Sequence, residues 1–197
     1  MYRYFFKRVI DLFIAIFAFI LVTPILFLTF ILIKIDSEGP IFFLQERLGV
    51  DKKIFKVIKL RTMTNKKRDS HVQVYENNPE VTKLGVFLRR TKIDELPQII
   101  NVLKGDMAIV GPRPCLPTIE HLFDDNTPKR FEVRPGVTSL AGVSGSIYLS
   151  WPEKWYYDKI YVERLTFLLD IKIIFMTALV VVVGEKKFLK RPELKNK

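Results

Sequence analysis

The sequence is poor in the residues that build disulfides and soft-metal sites. Its 197 residues include one cysteine, Cys115, and two histidines, His71 and His121, which are far apart in the chain. A single cysteine excludes an intramolecular disulfide. No cluster of His and Cys has the spacing of a zinc site. A bound cation would therefore be a hard ion held by carboxylates.

Acidic side chains are also scarce relative to basic ones. The chain has 21 Asp and Glu residues against 32 Lys and Arg residues, which gives a net charge of +11. An excess of this sign favours anionic partners, namely nucleic acid, anionic lipid or phosphorylated small molecules. Charge alone does not choose among these three.

The N-terminal region is strongly hydrophobic. Residues 12–33 carry no charged side chain, a length that is sufficient to span a bilayer. Thr23 and Pro24 lie near its middle, and Pro24 lacks the N–H that would bond to Ile20. A break there would leave two helices of about 12–15 residues, each too short to cross.

Charge bears on the topology of this region. Basic residues precede it, and the chain that follows is basic as well. If basic flanks stay cytoplasmic, both ends of the region lie on one side of the membrane. The prediction is a re-entrant helix-break-helix over residues 1–35, with Thr23 and Pro24 at the break. The alternative is one kinked transmembrane helix, since proline is common in such helices.

The body of the chain predicts short helices and strands. Residues 40–48 and 54–60 are β-prone on either side of Gly49, which indicates a hairpin. Gly105 is the expected stop of a helix over residues 95–104. Further helices are predicted over residues 84–90, 116–123 and 151–164, loops and short strands over residues 130–146, and a loop over residues 64–79.

A second apolar region follows at residues 165–183. Its uncharged part, residues 173–183, is too short to span a membrane and suits a helix that lies in the interface. The alternative is a β-branched core segment. Residues 185–197 form a basic tail, which is expected either to be solvated or to rest on anionic lipid.

Two adjacent carboxylates, Asp94 and Glu95, are the strongest candidates for chemistry. At the N-terminus of a helix both would reach the same cavity, where partial positive charge stabilises carboxylates and phosphate alike. An ionised Asp can attack phosphorus, or it can hold a magnesium ion beside a diphosphate. The alternative is a pair of acids that merely complements the helix dipole.

Arginines in rigid settings are candidate phosphate ligands. Arg89, Arg113 and Arg134 each lie beside proline, glycine or the acidic pair, where a guanidinium can be directed at phosphate oxygens. Solvated charge is the alternative for each of them. Asp158 is either an acid on a helix surface or a partner in a metal site or polar network.

Several long motifs occur along the chain in a fixed order. They are Lys59-Leu60-Arg61-Thr62-Met63, Leu84-Gly85-Val86-Phe87-Leu88-Arg89-Arg90-Thr91, Asp94-Glu95-Leu96-Pro97-Gln98, Asn101-Val102-Leu103-Lys104-Gly105-Asp106-Met107, Val110-Gly111-Pro112-Arg113-Pro114, Arg134-Pro135-Gly136-Val137-Thr138 and Leu169-Asp170-Ile171-Lys172. With these motifs and its Pro-broken N-terminus, the chain resembles the bacterial sugar transferase family. The resemblance covers nearly the whole chain and is to the minimal, monotopic phosphoglycosyl transferases.

The resemblance implies an α+β, mostly helical fold. A re-entrant membrane helix over residues 1–35 would precede a compact cytoplasmic catalytic domain over residues 36–184. That domain would contain the small β-hairpin and be surrounded by short interfacial amphipathic helices. Residues 185–197 would form the basic tail. The protein would be monotopic, on the cytoplasmic face of the bacterial inner membrane and in contact with membrane lipid.

The resemblance also implies an activity. Such enzymes move a sugar 1-phosphate from a UDP-sugar to undecaprenyl (polyprenyl) phosphate and release UMP, with Mg²⁺ as cofactor and no nucleic acid as partner. Asp94 would be the nucleophile and would bind the metal. Glu95 would assist proton transfer or position the metal. The substrate-binding residues would be Lys59, Arg61, Arg89, Arg113, Arg134 and Asp158, with Arg89 also structural beneath the helix break.

The chain departs from the family pattern at Gly142, where Gln is usual, at Ser146, where Arg is usual, and conservatively at Thr23, where Ser is common. If the loop that contains Gly142 and Ser146 reads the nucleotide or the sugar, either the specificity differs here or a different arginine serves. Two other functions also fit parts of the sequence. A non-catalytic basic module that binds anions at the membrane surface accounts for the charge but not for Asp94 and Glu95. A hydrolase of nucleotide sugars is the second.

Overall fold

The computed structural model describes residues 2–64 and 78–193, apart from the side chain of Tyr4. Within these residues the chain is mostly helical with two small sheets, which confirms the predicted α+β class. Its helices and strands are α1 (Lys7–Asp36), β1 (Phe42–Leu48), β2 (Ile54–Leu60), α2 (Lys83–Arg90), α3 (Gln98–Lys104), β3 (Ala108–Val110), β4 (Gly136–Thr138), α4 (Leu140–Val143), α5 (Trp151–Glu163) and α6 (Phe167–Val183). Most of the loop predicted over residues 64–79 lies outside the described residues.

The predicted hairpin is present. Strands β1 and β2 pair antiparallel, with Phe42 opposite Leu60 and Leu48 opposite Ile54. Between them the chain turns through Asp51 and Lys52, both of which have positive φ. Val57 and Leu60 of β2 are buried, and β2 packs against α3 and against the turn that carries the acidic pair.

The second sheet joins two short strands that are far apart in the sequence. Strands β3 and β4 are parallel, with Ala108 opposite Gly136. Gly136 is required at this contact because a Cβ there would lie 2.1 Å from the backbone nitrogen of Gly111. The Gly136 N–H donates to the Pro112 carbonyl at 2.9 Å. The turn that follows β3, which contains Arg113, is therefore fixed from two sides.

Helix α1 corrects one detail of the N-terminal prediction. The sequence predicts two helices with a break at Thr23 and Pro24, whereas the structure has one helix of 30 residues with Pro24 inside it. Pro24 removes only one backbone donor, and the Thr23 hydroxyl donates to the Phe19 carbonyl at 2.6 Å. The helical backbone therefore continues through the proline.

Both ends of α1 contact the same domain. Near its start, Ala15 packs in a cluster with Val57 and Val102. Near its end, Ile33 packs in a cluster with Leu60 and Leu88. A straight helix that crossed a bilayer would carry one of its ends away from the domain. Contacts at both ends therefore disfavour a straight transmembrane helix.

A buried polar network fixes the start of α1. The ammonium group of Lys7 lies 2.8 Å from a carboxylate oxygen of Asp170 in α6 and 3.4 Å from one of Asp11. The hydroxyl of Tyr161 in α5 donates to Asp170 at 2.8 Å. Helices α1, α5 and α6 thus meet at one buried network. Its charged groups are paired with each other, as buried charges require.

Two helices expose long apolar surfaces. In the described residues, α1 is the helix that is long and apolar enough to cross a membrane, and most of it is unburied. In α6, Asp170, Ile173 and Val180 are buried while most other apolar side chains are exposed. That exposure excludes the alternative of a core segment for α6. Apolar surface on this scale is typical of proteins associated with membranes.

The C-terminal segment packs on the domain rather than extending into solvent. The Lys190 N–H donates to the Ser144 carbonyl at 2.9 Å, and the Tyr157 hydroxyl donates to the Lys190 carbonyl at 2.8 Å. Arg191 lies 3.2 Å from Glu153. The described part of the tail predicted over residues 185–197 is thus docked, because its backbone and side chains find partners on α4 and α5.

Gly85 in α2 allows a close backbone contact that we expect to be intolerant of substitution. A Cβ at this position would lie 2.0 Å from the Thr62 carbonyl oxygen. Gly85→Ala should lower the free energy of unfolding by about 1–3 kcal/mol, because α2 would have to move away from the end of β2. Thermal or denaturant unfolding measures this loss.

Gly142→Ala is the matched control for this prediction. Its added carbon would contact only the Ser139 hydroxyl, at 3.0 Å. An equal loss of stability in both variants would show that the contact of Gly85 with Thr62 is not the cause.

Candidate active site

The acidic pair lies on a short connection between two helices. Asp94 and Glu95 are in a 3₁₀ turn, Ile93–Glu95, rather than in the first turn of the helix predicted over residues 95–104. The reason is Pro97, which cannot donate the backbone bond to Ile93 that an α-helix would need. The chain enters this turn through Lys92, whose backbone is left-handed with φ of 58°.

Asp94 is buried and incompletely bonded. Its relative exposure is 8%, and its Oδ1 atom has no hydrogen-bond partner in the part of the chain that is described. Burial and then the nearby charge of Glu95 raise the pKa of Asp94, while Lys59, Lys92 and Arg89 oppose the shift. An unpartnered buried carboxylate oxygen is costly to maintain, which is typical of functional sites.

Glu95 is held in a clamp of two cations. The Lys59 ammonium donates to its Oε1 atom at 2.8 Å, and the Arg113 guanidinium donates to the same atom. Burial alone would raise the pKa of Glu95, but Arg113 and Lys59 outweigh it and hold that pKa well below its usual range. Glu95 is therefore a fixed anion that orients Lys59 and Arg113, which favours a positioning role over that of a proton acceptor.

The Arg113 turn is supported from behind by a second pair of charges. Arg130 donates to the Arg113 carbonyl and lies 3.5 Å from Asp158, and both side chains are 4% exposed. Burial raises the pKa of Asp158 to about 6, against the opposing effect of Arg130 and Lys154. Asp158 is thus a buried network partner rather than a surface acid, and it acts on the site through Arg130.

Arg61 lies elsewhere. Its guanidinium donates to the carbonyls of Ser37 and Glu38, just past the end of α1. Terminal carbonyls of a helix lack partners within the helix and attract cationic donors. These contacts give Arg61 a structural role at the end of α1, and its predicted role in substrate binding stays a prediction.

Arg134 also lies away from the acidic pair. Its Nε atom donates to the Gly105 carbonyl at 2.9 Å, at the C-terminal end of α3. Asp94 precedes the other end of α3, about 10 Å away along a seven-residue helix. The structure thus gives Arg134 a contact at the far end of α3, and its predicted role in substrate binding stays a prediction.

Arg89 holds two elements together and also acts electrostatically on the site. Its Nε atom donates to the Thr62 hydroxyl at 3.0 Å and so ties α2 to the chain that follows β2. Its charge also opposes the raised pKa of Asp94. This position fits the two roles that the resemblance implies for it.

Two residues of the site were not predicted from the sequence. Arg47 and Gln98 line a small cavity together with Lys59 and Arg113. Burial, and then repulsion by Arg113, lowers the pKa of Arg47 to about 10. The only signal in the sequence was the alternation of the hairpin, which places Arg47 and Lys59 on neighbouring strands without showing that they converge.

The carboxylates of the site fit magnesium only through Asp94. No group of three or more His, Cys, Asp or Glu side chains is arranged for metal binding in residues 2–64 and 78–193. Magnesium is, however, commonly held by one or two carboxylates together with substrate phosphates. The unpartnered oxygen of Asp94 fits such a site, whereas Glu95 is already bonded to Lys59 and Arg113.

The profile of the bacterial sugar transferase family matches residues 2–184, and the chain belongs to this family. It is 40% identical over 179 residues to the uncharacterized sugar transferase EpsL of Bacillus subtilis. The aligned residues cover 91% of this chain and 88% of that relative.

Two further relatives carry more specific names. The UDP-glucose:undecaprenyl-phosphate glucose-1-phosphate transferase of Klebsiella pneumoniae is 39% identical over 181 residues, which cover 87% of this chain and 39% of that protein. The UDP-N-acetylgalactosamine-undecaprenyl-phosphate N-acetylgalactosaminephosphotransferase of Aeromonas hydrophila is 35% identical over 187 residues, which cover 91% of this chain and 44% of that protein. The chain spans less than half the length of these two relatives.

Proposed function

We propose that this protein transfers a sugar 1-phosphate from a UDP-sugar to undecaprenyl phosphate, with Asp94 as a covalent nucleophile. The observation that carries the proposal is the buried Asp94 carboxylate, which has an unpartnered oxygen and interacts electrostatically with Lys59 and Arg113, the two cations held by Glu95. Relatives named as transferases between these two substrate classes support it.

The first half of the reaction uses Asp94 and the cationic clamp. A carboxylate oxygen of Asp94 attacks the phosphorus that bears the sugar, the bond from that phosphorus to the bridging oxygen breaks, and UMP leaves with that oxygen. Arg113 and Lys59, held in place by Glu95, stabilise the negative charge that develops on the phosphate oxygens.

The second half returns Asp94 to its starting state. An oxygen of the acceptor phosphate attacks the same phosphorus, and the bond to the Asp94 oxygen breaks. The product is a polyprenyl-diphosphate sugar, and the carboxylate is free again. The two halves are separable, because the first needs only the donor.

Magnesium is proposed as the cofactor of this reaction. Asp94 would hold it together with oxygens of the donor diphosphate. When bound, it would neutralise the charge of the diphosphate and of the UMP leaving group.

The proposed topology places the site at the cytoplasmic surface of the inner membrane. Both ends of α1 contact the domain, which supports a re-entrant helix that enters one leaflet and returns. The exposed apolar side chains of α6 would lie in the same interface. Labelling of an N-terminal tag from each side of the membrane tests this, since a crossing helix would place the tag on the far side.

A panel of UDP-sugars with undecaprenyl phosphate and magnesium, with UMP as the readout, tests the activity. We expect UMP release that depends on the acceptor beyond a first stoichiometric burst. Sustained multiple turnover without the acceptor would indicate the hydrolase instead. Binding of anions with no UMP from any donor would indicate the non-catalytic module.

A further inference from the structure

The structure contains a second cavity that the proposed chemistry does not yet use. It is a groove of about 470 Å³ between the C-terminal ends of α2 and α6. Arg90 and Thr91 form one wall, and Val181, Val182, Val183 and Gly184 form the other. We name it the α2–α6 groove.

The groove has a basic side and an apolar side. Arg90 ends α2 and is exposed. Across from it, Val181 is 50% exposed and Val182 is 84% exposed. A cationic group that faces an apolar wall matches a ligand with an anionic head and a hydrocarbon tail, because each part would meet its complement.

The inner end of the groove reaches the catalytic turn. The next residue after its basic wall is Lys92, whose ammonium lies 3.3 Å from Glu185, the next residue after its apolar wall. Lys92 also acts electrostatically on Asp94, and Glu185 on Arg113. The ion pair between Lys92 and Glu185 therefore lies between the groove and the site of phosphoryl transfer.

The outer end of the groove is continuous with the apolar surface of the protein. Val86 and Phe87, on the same helix as Arg90, are 54% and 55% exposed. Apolar side chains continue to be exposed along α6 on the other side of the groove. A lipid could pass from this surface into the groove without its tail entering water.

We propose that the α2–α6 groove is the acceptor subsite, which binds a polyprenyl phosphate with its phosphate at Arg90 and its first isoprene units on the wall of Val181 to Val183. The inference rests on the proposed function. It adds the path by which a lipid phosphate reaches the phosphorus bound to Asp94. In the proposed reaction the donor diphosphate would bind at Lys59 and Arg113, which line a different cavity.

Steady-state kinetics in nanodiscs of fixed composition test the subsite, with the donor that the wild type accepts. Arg90→Gln should raise the apparent KM for undecaprenyl phosphate about tenfold or more, because it removes a charge-assisted contact. Arg90→Lys should recover part of that loss. Val182→Asp should raise the same KM, because it places a charge on the apolar wall. The UMP burst from donor alone should be unchanged in all three.

Leu168→Asp is the matched control, on the same helix but at its other end, where Leu168 is 77% exposed. It adds the same charge to the exposed surface of α6 and should leave the KM for the acceptor at the wild-type value. An equal rise in Leu168→Asp and Val182→Asp would overturn the subsite in favour of a general effect on membrane association.

A photoreactive undecaprenyl phosphate provides a second measurement that does not depend on turnover. Its label should be found on residues 181–184, and unlabelled undecaprenyl phosphate should compete with it. Equal competition by phosphatidylglycerol would mean that the groove binds any anionic lipid, which would overturn the assignment.

The two proposals fail in different ways. If the wild type releases no UMP from any donor, the proposed function is wrong and the subsite falls with it. If the wild type is active and Arg90→Gln and Val182→Asp both keep its KM for the acceptor, the subsite alone is wrong.

Discussion

Asp94→Asn should abolish transfer and leave the fold intact. The amide is not a nucleophile towards phosphorus, so the burst of UMP and the steady-state rate should both fall by about 10⁴-fold or more. UMP release measures both the burst and the steady-state rate, and intact-protein mass spectrometry measures the phosphosugar adduct that accompanies the burst. A variant that retains turnover within tenfold of the wild type would contradict the role of Asp94.

The same variant should be at least as stable as the wild type. Burial raises the pKa of Asp94 in the folded protein, so the folded state binds its proton more tightly than the unfolded state does. Stability from this group is therefore greatest below the unfolded pKa and falls as the pH rises towards the folded one. At neutral pH the ionised carboxylate destabilises the fold, and a neutral amide should raise the Tm.

Glu95→Gln should damage both activity and stability. In the wild type, Glu95 Oε1 bonds to both Lys59 and Arg113. Without its charge the two cations repel each other and lose their common partner, and misplacement of phosphate ligands costs about 10²-fold in rate. We expect the free energy of unfolding to fall by about 2 kcal/mol, less than for a fully buried pair because Arg113 is half exposed.

Glu120→Gln provides the control for that variant. Glu120 pairs with Lys52 at 3.4 Å, and both side chains are about half exposed. Loss of an exposed pair of this kind should cost at most about 1 kcal/mol and no activity. Equal effects of the two substitutions on rate would show that the clamp around Glu95 has no special role.

The opposite changes in stability separate the roles of the adjacent acids. Asp94 has an unpartnered oxygen and a raised pKa, whereas Glu95 has two cationic partners and a lowered pKa. Neighbouring carboxylates whose environments push their pKa values apart are typical of sites in which each group has a different task. In the proposed mechanism, Asp94 attacks phosphorus and Glu95 positions the cations that stabilise the developing negative charge.

Local signals in the sequence predicted much of the fold. The turn at Gly49 predicted the hairpin, and Gly105 ends α3 in the left-handed conformation that its position favours. The start of α3 was displaced because the missing N–H of Pro97 prevents the acidic pair from joining the helix. Pro24 predicts a break that the structure does not have, because the loss of one backbone donor does not end a helix that its other hydrogen bonds maintain.

The acidic pair and Arg113 of the candidate site were predictable from the sequence, whereas Arg47, Gln98 and the contacts among the site residues were not. The sequence shows that Arg113 lies between two prolines and that Asp94 and Glu95 are adjacent carboxylates. The tertiary contacts that assign Arg61 to the end of α1 and Asp158 to Arg130 are not, because they join residues far apart in the chain. The C-terminal segment that brings Glu185 to Lys92 is a third such contact.

The covalent step is the central claim, and intact-mass analysis of the wild type with donor alone tests it most directly. Under conditions that support turnover, the protein should gain the mass of one phosphosugar and release one equivalent of UMP, and the mass should return to its starting value when undecaprenyl phosphate is added. Turnover without any such adduct, or the same adduct on Asp94→Asn, would contradict the account.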